Sequence, residues 1–262
     1  MVPVFGASYQ SHPSDDPRSE SGFAENVAQL LDRLDCRRAD NAAERERISR
    51  LRYQAYLREG AIAPNNTQTF SDSYDATNNA YLFGLYLDDE LASSIRIHVA
   101  SKDYPDFPSL EVFSDVLRPE LDAGKVIIDS TRFVADENLS RRHRGLPYAT
   151  VRLSWLAAEY FNAEHLLAAV RTEHQAFYRR VFHHRLICEP RSYPRLTKPI
   201  SLMTAHCPTV ADFVHRRYPF FRSTFFERRM LFERESAPSI APSQGYCRPF
   251  AEGAAPLPGG AT

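Results

Sequence analysis

Two charged residues, Asp129 and Arg132, stand inside the run Lys125–Asp136, KVIIDSTRFVAD. Val126, Ile127 and Ile128 at its start are apolar and β-branched, which suits a strand buried on both faces. A buried carboxylate or guanidinium costs several kcal/mol unless it is paired, so a central strand carrying both needs a reason. Either Asp129 and Arg132 pair near the strand end, or the strand opens there onto a polar cleft. Further charges are available to line such a cleft: Asp72 and Asp75 in a polar stretch, Arg96 in SSIRI, and Arg52 in RLRYQAYLREG. Arg52 suits a substrate carboxylate, because a guanidinium forks onto a carboxylate through two bonds. Against that stands the plain alternative of solvated surface charges, each worth under about 1 kcal/mol.

The totals narrow the field. A chain of 262 residues with 43% hydrophobic and 25% charged residues can bury a core as one large domain or two small ones. A net charge of −1 gives no global pull toward nucleic acid or membrane, so any basic surface must be local. Cys36, Cys188, Cys207 and Cys247 are irregularly spaced without a CxxC pair, so neither a metal site nor a disulfide framework is expected. No apolar run is long enough to span a bilayer, and the first residues lack the basic start and apolar core of a secretory signal. A cytoplasmic protein without a transmembrane segment is the expectation.

Stepping along the chain, the elements that must position these residues alternate. Residues 1–20 read as a loose arm, followed by a helix over 23–31 and a weak strand at Leu34–Arg38. Asp40 or Asn41 caps a helix with Ile48, Leu51, Ala55 and Tyr56 on one stripe, ended by Gly60. Residues 61–79 form a long loop, and strands over 80–87 and 91–100 make a hairpin across Asp88-Asp89-Glu90. Residues 101–117 read as another loop before the strand at 125. Then come a basic loop with Arg142, Arg144 and Gly145, a helix over 147–162, a buried strand at Leu166–Val170, and a helix in HQAFYRRVFHHR. Two strands, RLICEPRSY and KPISLMTAH, and a helix over 209–217 follow. In the aromatic and basic segment Arg216–Phe232, Phe220, Phe221, Phe225 and Phe226 are expected to pack into the core; otherwise the segment covers a channel or contacts a membrane surface. From 236 the composition predicts a disordered tail. The sum is one α/β domain over 21–235, a mixed central sheet with helices on both faces.

That order resembles the Gcn5-related N-acetyltransferase (GNAT) fold, whose loop after the fourth strand, [QR]xxGx[GA], offers backbone amides to the pyrophosphate of a pantetheine carrier. Arg142-His143-Arg144-Gly145-Leu146-Pro147 matches its Arg and first Gly, but Pro147 replaces the last small residue and removes a donor. A tighter resemblance is to the acyl-homoserine-lactone synthase branch of that fold. RxxxF is matched by Arg52-Tyr53-Gln54-Ala55-Tyr56, DxxD by Asp72-Ser73-Tyr74-Asp75, the hairpin arginine by Arg96, the loop phenylalanine by Phe113, and ExxR by Asp129-Ser130-Thr131-Arg132. The family's tryptophan ten residues after the first arginine is Ile62 here, and the only tryptophan is Trp155. The stretch RLRYQAYLREG and the region past Leu146 look more like the related long-chain N-acyl amino acid synthases, and this branch is preferred.

The resemblance implies aminolysis of a thioester: transfer of a fatty acyl chain from acyl carrier protein, or from acyl-CoA, to the amino group of an amino acid. In this reading Asp129 accepts or orients the amine proton, or else only holds Arg132. Tyr178, in Phe177-Tyr178-Arg179-Arg180-Val181-Phe182, is similar to a tyrosine of the wider fold that protonates the leaving thiolate, although an aromatic of the core stripe fits it as well. Arg52, Tyr56, Asp72, Asp75, Arg96 and Phe113 would shape the amino-acid pocket; Phe133, Val134, Arg142, Arg144 and Gly145 would meet the phosphopantetheine arm. No cofactor is held permanently, since the acyl-phosphopantetheine is a co-substrate. Arg141, Arg142, Arg144, Arg152, Arg179, Arg180 and Arg185 concentrate charge for an acidic partner, which acyl carrier protein is, while no nucleic-acid motif accompanies them. Alternatives are lactone synthesis from S-adenosylmethionine and a non-catalytic binding module on the same fold.

Overall fold

The core of the molecule is a strand that changes its aim halfway along. In the computed structural model, which describes residues 17–193 and 196–234, this strand is β4, Ile127–Ala135. On its far side from the N-terminus it pairs in parallel with β5, His165–Val170; on the other it pairs antiparallel with β3, Glu90–Ala100. Outside β3 lie β2, Ala80–Leu87, and β1, Leu34–Arg38; beyond β5 lie β7, Ile200–His206, and β6, Arg185–Arg191. The order is β1-β2-β3-β4-β5-β7-β6, antiparallel except at β4–β5.

Two features of β4 shape everything near it. Opposite the single residue Ile95, β4 spends two residues, Arg132 and Phe133, so the ladder carries a β-bulge. Arg132 takes φ 55°, in the left-handed region that side chains other than glycine rarely adopt. One consequence is a change of parity. Ile127, Asp129, Thr131 and Val134 face one side of the sheet, while Ile128, Ser130 and Phe133 face the other. The second feature is that parallel pairing with β5 stops at Ser130 opposite Ala168. Beyond that point the two strands part, and the sheet is split at its centre.

Helices cover both faces. On one side α2, Ala42–Arg58, and α3, Pro108–Asp122, bury Leu51, Tyr56, Phe113, Leu117 and Leu121 against Ile127, Val134 and Leu167. On the other, α5, Leu146–Tyr160, lies at the centre, with α1, Pro17–Arg33, α7, Cys207–Arg217, and α8, Phe225–Phe232, around it. The short α4, Glu137–Arg142, joins β4 to α5, and α6, Gln175–Phe182, follows β5. Asn41, not Asp40, caps α2 by accepting from the Glu44 amide. The β2–β3 hairpin turns through Asp88 and Asp89 at φ 51° and 62°, the left-handed pair that a two-residue turn requires.

Three readings are corrected. The stretch expected as a loop over 101–117 holds most of α3: Pro108 sits at the start, where its missing N–H costs nothing, and Ser109, Phe113, Leu117 and Leu121 recur every four residues on the buried face. The first helix begins at Pro17, earlier than expected, so residues 17–20 of the expected arm are helical. Phe225 and Phe226 are 59% and 69% exposed, whereas Phe220 and Phe221 are buried as expected. On α8 it is Phe232 that reaches the core, and the helix turns its first two aromatics outward. Residues 1–16 and the tail from 236 lie outside the described residues. Among the described residues no helix is long and apolar enough to cross a membrane.

Candidate functional site

The Asp-x-x-Asp spacing acts first on its own backbone. Asp72 precedes a single 3-10 turn, Ser73–Ala76, and accepts from the Tyr74 amide at 3.1 Å; Asp75 reaches back to the Asp72 amide at 3.4 Å. This reciprocal cap leaves both carboxylates on one side of the turn. Three arginines from three elements meet them there. Arg96 of β3 donates to Asp72 and, at 2.9 Å, to Asp75; Arg52 of α2 donates to both Asp75 oxygens at 2.8 and 2.9 Å; Arg132 of β4 donates to Asp72. Arg96 also donates from Nε to the Thr131 hydroxyl at 3.1 Å, and Arg132 lies 4.3 Å over the Phe70 ring. The bulge is what turns Arg132 toward Asp72. Arg52, Arg96 and Arg132 are at most 3% exposed.

Burial would raise the pKa of Asp72, but Arg96 and Arg132 overcome it and hold the carboxyl well below the usual range; Arg52 and Arg96 do the same for Asp75. The network does not use all its donors. Nε and Nη2 of Arg52, and Nε and Nη1 of Arg132, are buried and receive no acceptor from the fold. The Tyr56 hydroxyl lies beside Arg132 without a well-aligned bond to it. Tyr193, from the β6–β7 connection, adds another buried hydroxyl without a partner, close to Asp129 and Arg132. Orphaned donors collected at one place are rare in native interiors, and such a cluster needs an explanation.

Asp129 is corrected in its partner. It does not pair with Arg132: its oxygens accept from the Ser109 hydroxyl at 2.8 Å and the Ser109 amide at 3.1 Å, at the first turn of α3. Its strand parity points it to the α3 side, and the bulge carries Arg132 away. Complete burial raises its pKa, against the pull of Ser109 and Arg96. Of Asp72, Asp75 and Asp129, only Asp129 has a raised proton affinity.

Tyr178 of α6 lies on the opposite face, with Ala168, Val170 and Met203. Burial, with a smaller contribution from Tyr56, pushes its pKa up. Phe133 lines a cavity with Tyr178, while Val134 is buried toward α2 and α3. Phe113 is fully buried at a kink in α3, under Arg191 at 5.2 Å, as part of the core beside the network. At the start of α5 the amide cradle is reduced: Pro147 has no N–H and the Leu146 amide already donates to the His143 carbonyl at 2.9 Å. Gly145 has a steric reason, since a Cβ there would sit 3.0 Å from Val27. Arg142 and Arg144 are exposed at this end of α5. Arg152 is not part of that surface: it turns inward to Glu227 and to the carbonyls of Phe220 and Arg222. Among the described residues no group of metal-ligating side chains forms a metal site.

Sequence reasoning collected Arg52, Tyr56, Asp72, Asp75, Arg96 and Arg132, and the fold brings these six together. It missed Ser109, Phe70 and Tyr193. Tyr193 carried no local signal, since it closes a stretch that reads as an ordinary strand.

Comparison with known proteins bears on the fold and the family. The solved structure of FeeM, an N-acyl amino acid synthase from uncultured soil microbes, is similar to this chain at 18% identity over 67% of this chain and 92% of that one, with a TM-score of 0.56. Also similar are an acyl-CoA N-acyltransferase from Pseudomonas aeruginosa (19% identity, 66% and 97% covered, TM-score 0.45) and the CoA-dependent acyl-homoserine lactone synthase BjaI (15%, 71% and 89%, TM-score 0.48). No curated protein is a significant match to the chain. The fold is that of the GNAT-like acyltransferases, in a single domain. The sequence model described as N-acyl amino acid synthase FeeM matches residues 47–206, a stretch that runs from α2 through the Asp72 turn and the split sheet to β7. Since this match covers more than half of the chain, the protein belongs to the FeeM family of N-acyl amino acid synthases and is an acyltransferase.

Proposed function

We propose that the enzyme transfers a fatty acyl chain from the phosphopantetheine of acyl carrier protein to the amino group of an amino acid. The observation that carries this reading is the Nε–Nη2 edge of Arg52, buried without an acceptor from the fold while Nη1 is held by Asp75; such an edge takes a carboxylate in two bonds. An α-amino acid bound there by its carboxylate satisfies donors that the fold leaves open, with Arg132, Tyr56 and Tyr193 around it. Its amine then attacks the thioester carbonyl presented through the split between β4 and β5. The amine proton passes to Asp129, directly or through water, because the carboxylates of Asp72 and Asp75 are too weakly basic to take it. The C–S bond breaks, the departing thiolate takes a proton from the Tyr178 hydroxyl, and the proton held by Asp129 returns to Tyr178 through water.

Carrier protein is favoured over free coenzyme A as donor. The amide cradle for a pyrophosphate is depleted at Leu146 and Pro147, while Arg142, Arg144 and Arg185 stay exposed without an ion-pair partner among the described residues. Such charges steer an acidic protein more than they grip a nucleotide.

The test is turnover of purified protein with acyl carrier protein or coenzyme A carrying one long acyl chain, against a panel of free amino acids and S-adenosylmethionine. An N-acyl amino acid is the expected product, and Arg52→Gln should raise the KM for the acceptor at least about tenfold by removing a charged hydrogen-bond donor. A lactone with methylthioadenosine overturns the acceptor, and no turnover with any pair overturns the enzyme reading.

A further inference from the structure

Sheet register sets a second pair at the site that the order of residues along the chain does not suggest. His98 of β3 stands directly opposite Asp129 of β4, and both are fully buried. Residues opposite each other in an antiparallel ladder point to the same face, with Cβ atoms about 5 Å apart. Two residues along, Arg96 reaches the hydroxyl of its own facing residue, Thr131, on that side of the sheet. On its other flank His98 faces Ala80 of β2, which has no polar side chain.

The imidazole is fixed at one nitrogen and open at the other. Nε2 lies 3.1 Å from the Tyr74 carbonyl, which only accepts, so this nitrogen carries the proton. Burial and then the charge of Arg96 push the ring down to about 3, so it is neutral at ordinary pH. Nδ1 is therefore a lone-pair acceptor, and it is buried without a donor. Its charged and titratable neighbours do not supply one. Arg96 turns its donors to Thr131, Asp72 and Asp75, and those two carboxylates are acceptors themselves. The Tyr74 ring stands perpendicular to the imidazole, and its hydroxyl goes to Glu111.

Asp129 has the complementary need. While ionised, its oxygens accept from the Ser109 hydroxyl and amide, and a carboxylate cannot bond to a bare ring nitrogen. Once protonated it gains an O–H, and a buried O–H without an acceptor costs free energy. Among the groups beside it, Ser109 and Arg96 favour the ionised form. The Tyr193 hydroxyl, also without a partner, is the rival acceptor.

We propose that His98 is a positioning residue for acyl transfer: its Nδ1 accepts a hydrogen bond from Asp129, directly or through one water, while that carboxyl carries the amine proton. The inference rests on the acyl-transfer reading and adds to it the group that holds the proton in transit. Asp129 gains the proton as the N–H bond of the amine breaks, turns it to Nδ1, and releases it through water to Tyr178 after the C–S bond breaks. His98 stays neutral throughout.

Two substitutions separate the two ring nitrogens. His98→Gln keeps an N–H for the Tyr74 carbonyl but removes the acceptor at Nδ1. His98→Asn sets an amide oxygen where Nδ1 stood but gives up the bond to Tyr74. Losing a hydrogen bond to its acid form makes Asp129 release its proton more readily. The acidic limb of kcat against pH should therefore move down by about one pH unit in His98→Gln, a tenfold change in proton affinity, and stay in place in His98→Asn. A second readout needs no turnover. In protein labelled with heavy nitrogen at histidine, the Nδ1 resonance of His98 should shift at the pH where Asp129 takes its proton, and that step should vanish in Asp129→Asn. A limb unmoved in His98→Gln of normal melting temperature, or moved equally in both variants, overturns the proposal. So does an Nδ1 resonance blind to Asp129, which would leave that nitrogen to water and the proton to Tyr193. Should the substituted proteins not fold, the resonance of the unsubstituted protein decides. Absence of turnover with every donor ends the acyl-transfer reading, while the nitrogen titration still decides whether His98 and Asp129 share a proton.

Discussion

Asp72 is the residue on which most charge depends. It meets Arg96 and Arg132, caps its own turn through the Tyr74 amide, and is only 10% exposed in its side chain. Removing one partner of a buried pair leaves the other charge uncompensated, and that costs more than the pair itself contributes. Asp72→Asn keeps the size and the cap acceptor but strips the negative charge from between two buried guanidiniums. Stability should fall by about 3–5 kcal/mol, read as a lower urea midpoint. A loss under about 1 kcal/mol would place the network among solvated surface pairs and remove its claim to organise a pocket. Asp75 differs in having Arg52 as a partner with a free edge.

At the scale of elements, β4 and α3 work as a pair. α3 begins at Pro108 after Phe107, which provides no side-chain cap, so the strand supplies an acceptor through Asp129. A carboxylate at a helix N-terminus is favoured by the free amides and the helix dipole. The two bonds from Ser109 tie the first turn of α3 to β4, in the element that carries Phe113 into the core. Ser109→Ala removes the hydroxyl donor from a fully buried carboxylate. About 1–3 kcal/mol of stability should be lost in denaturant titration, and the pH optimum of turnover should move upward as Asp129 holds its proton more tightly. An unmoved pH profile with reduced stability would confine Asp129 to holding α3. The bulge at Arg132 is the matching device on the strand: one extra residue turns a guanidinium to the acidic turn and leaves Phe133 for the other face.

Across the whole molecule, histidines held low in the fold set the response to acid. His98, under burial and the charge of Arg96, and His184, under burial, are held at about 3, and His174, under burial and the charge of Arg171, at about 4. Their unfolded value is about 6.5, so between those limits the unfolded chain binds the extra protons. Stability is therefore full above about pH 6.5 and falls as pH drops, by up to about 1.4 kcal/mol per pH unit for each histidine. Asp72 and Asp75, whose pKa is depressed, continue the loss as pH falls from the ordinary carboxylate range through their folded values. Asp129 has the opposite sign: raised in the fold, it takes its proton before the unfolded chain does and offsets part of the fall. Urea midpoints between pH 7.5 and pH 4.5 should decline, and His184→Gln should reduce the slope over the upper part of that range by no more than about a third. A flat profile in the unsubstituted protein would mean that these rings are reached by water.

The sequence by itself determined a great deal of this. Alternation and β-branched runs located the strands around the hairpin and at 125–135, and the ordered spacing of Arg52, Asp72, Asp75, Arg96 and Arg132 was enough to name the acyltransferase fold and the residues of one charge cluster. Such patterns are legible because strand period, turn chemistry and paired charges are local or repeat in order along the chain. Only the tertiary structure decided who pairs with whom. Asp129 and Arg132 are three residues apart and look like partners, yet a bulge at Arg132 turns one toward Asp72 and leaves the other to Ser109. The helix at 108–122 was hidden because its start is held by a carboxylate from a distant strand. Tyr193 and His98 gave no signal at all, since a hydroxyl or an imidazole becomes informative only when burial takes water away and no neighbour replaces it.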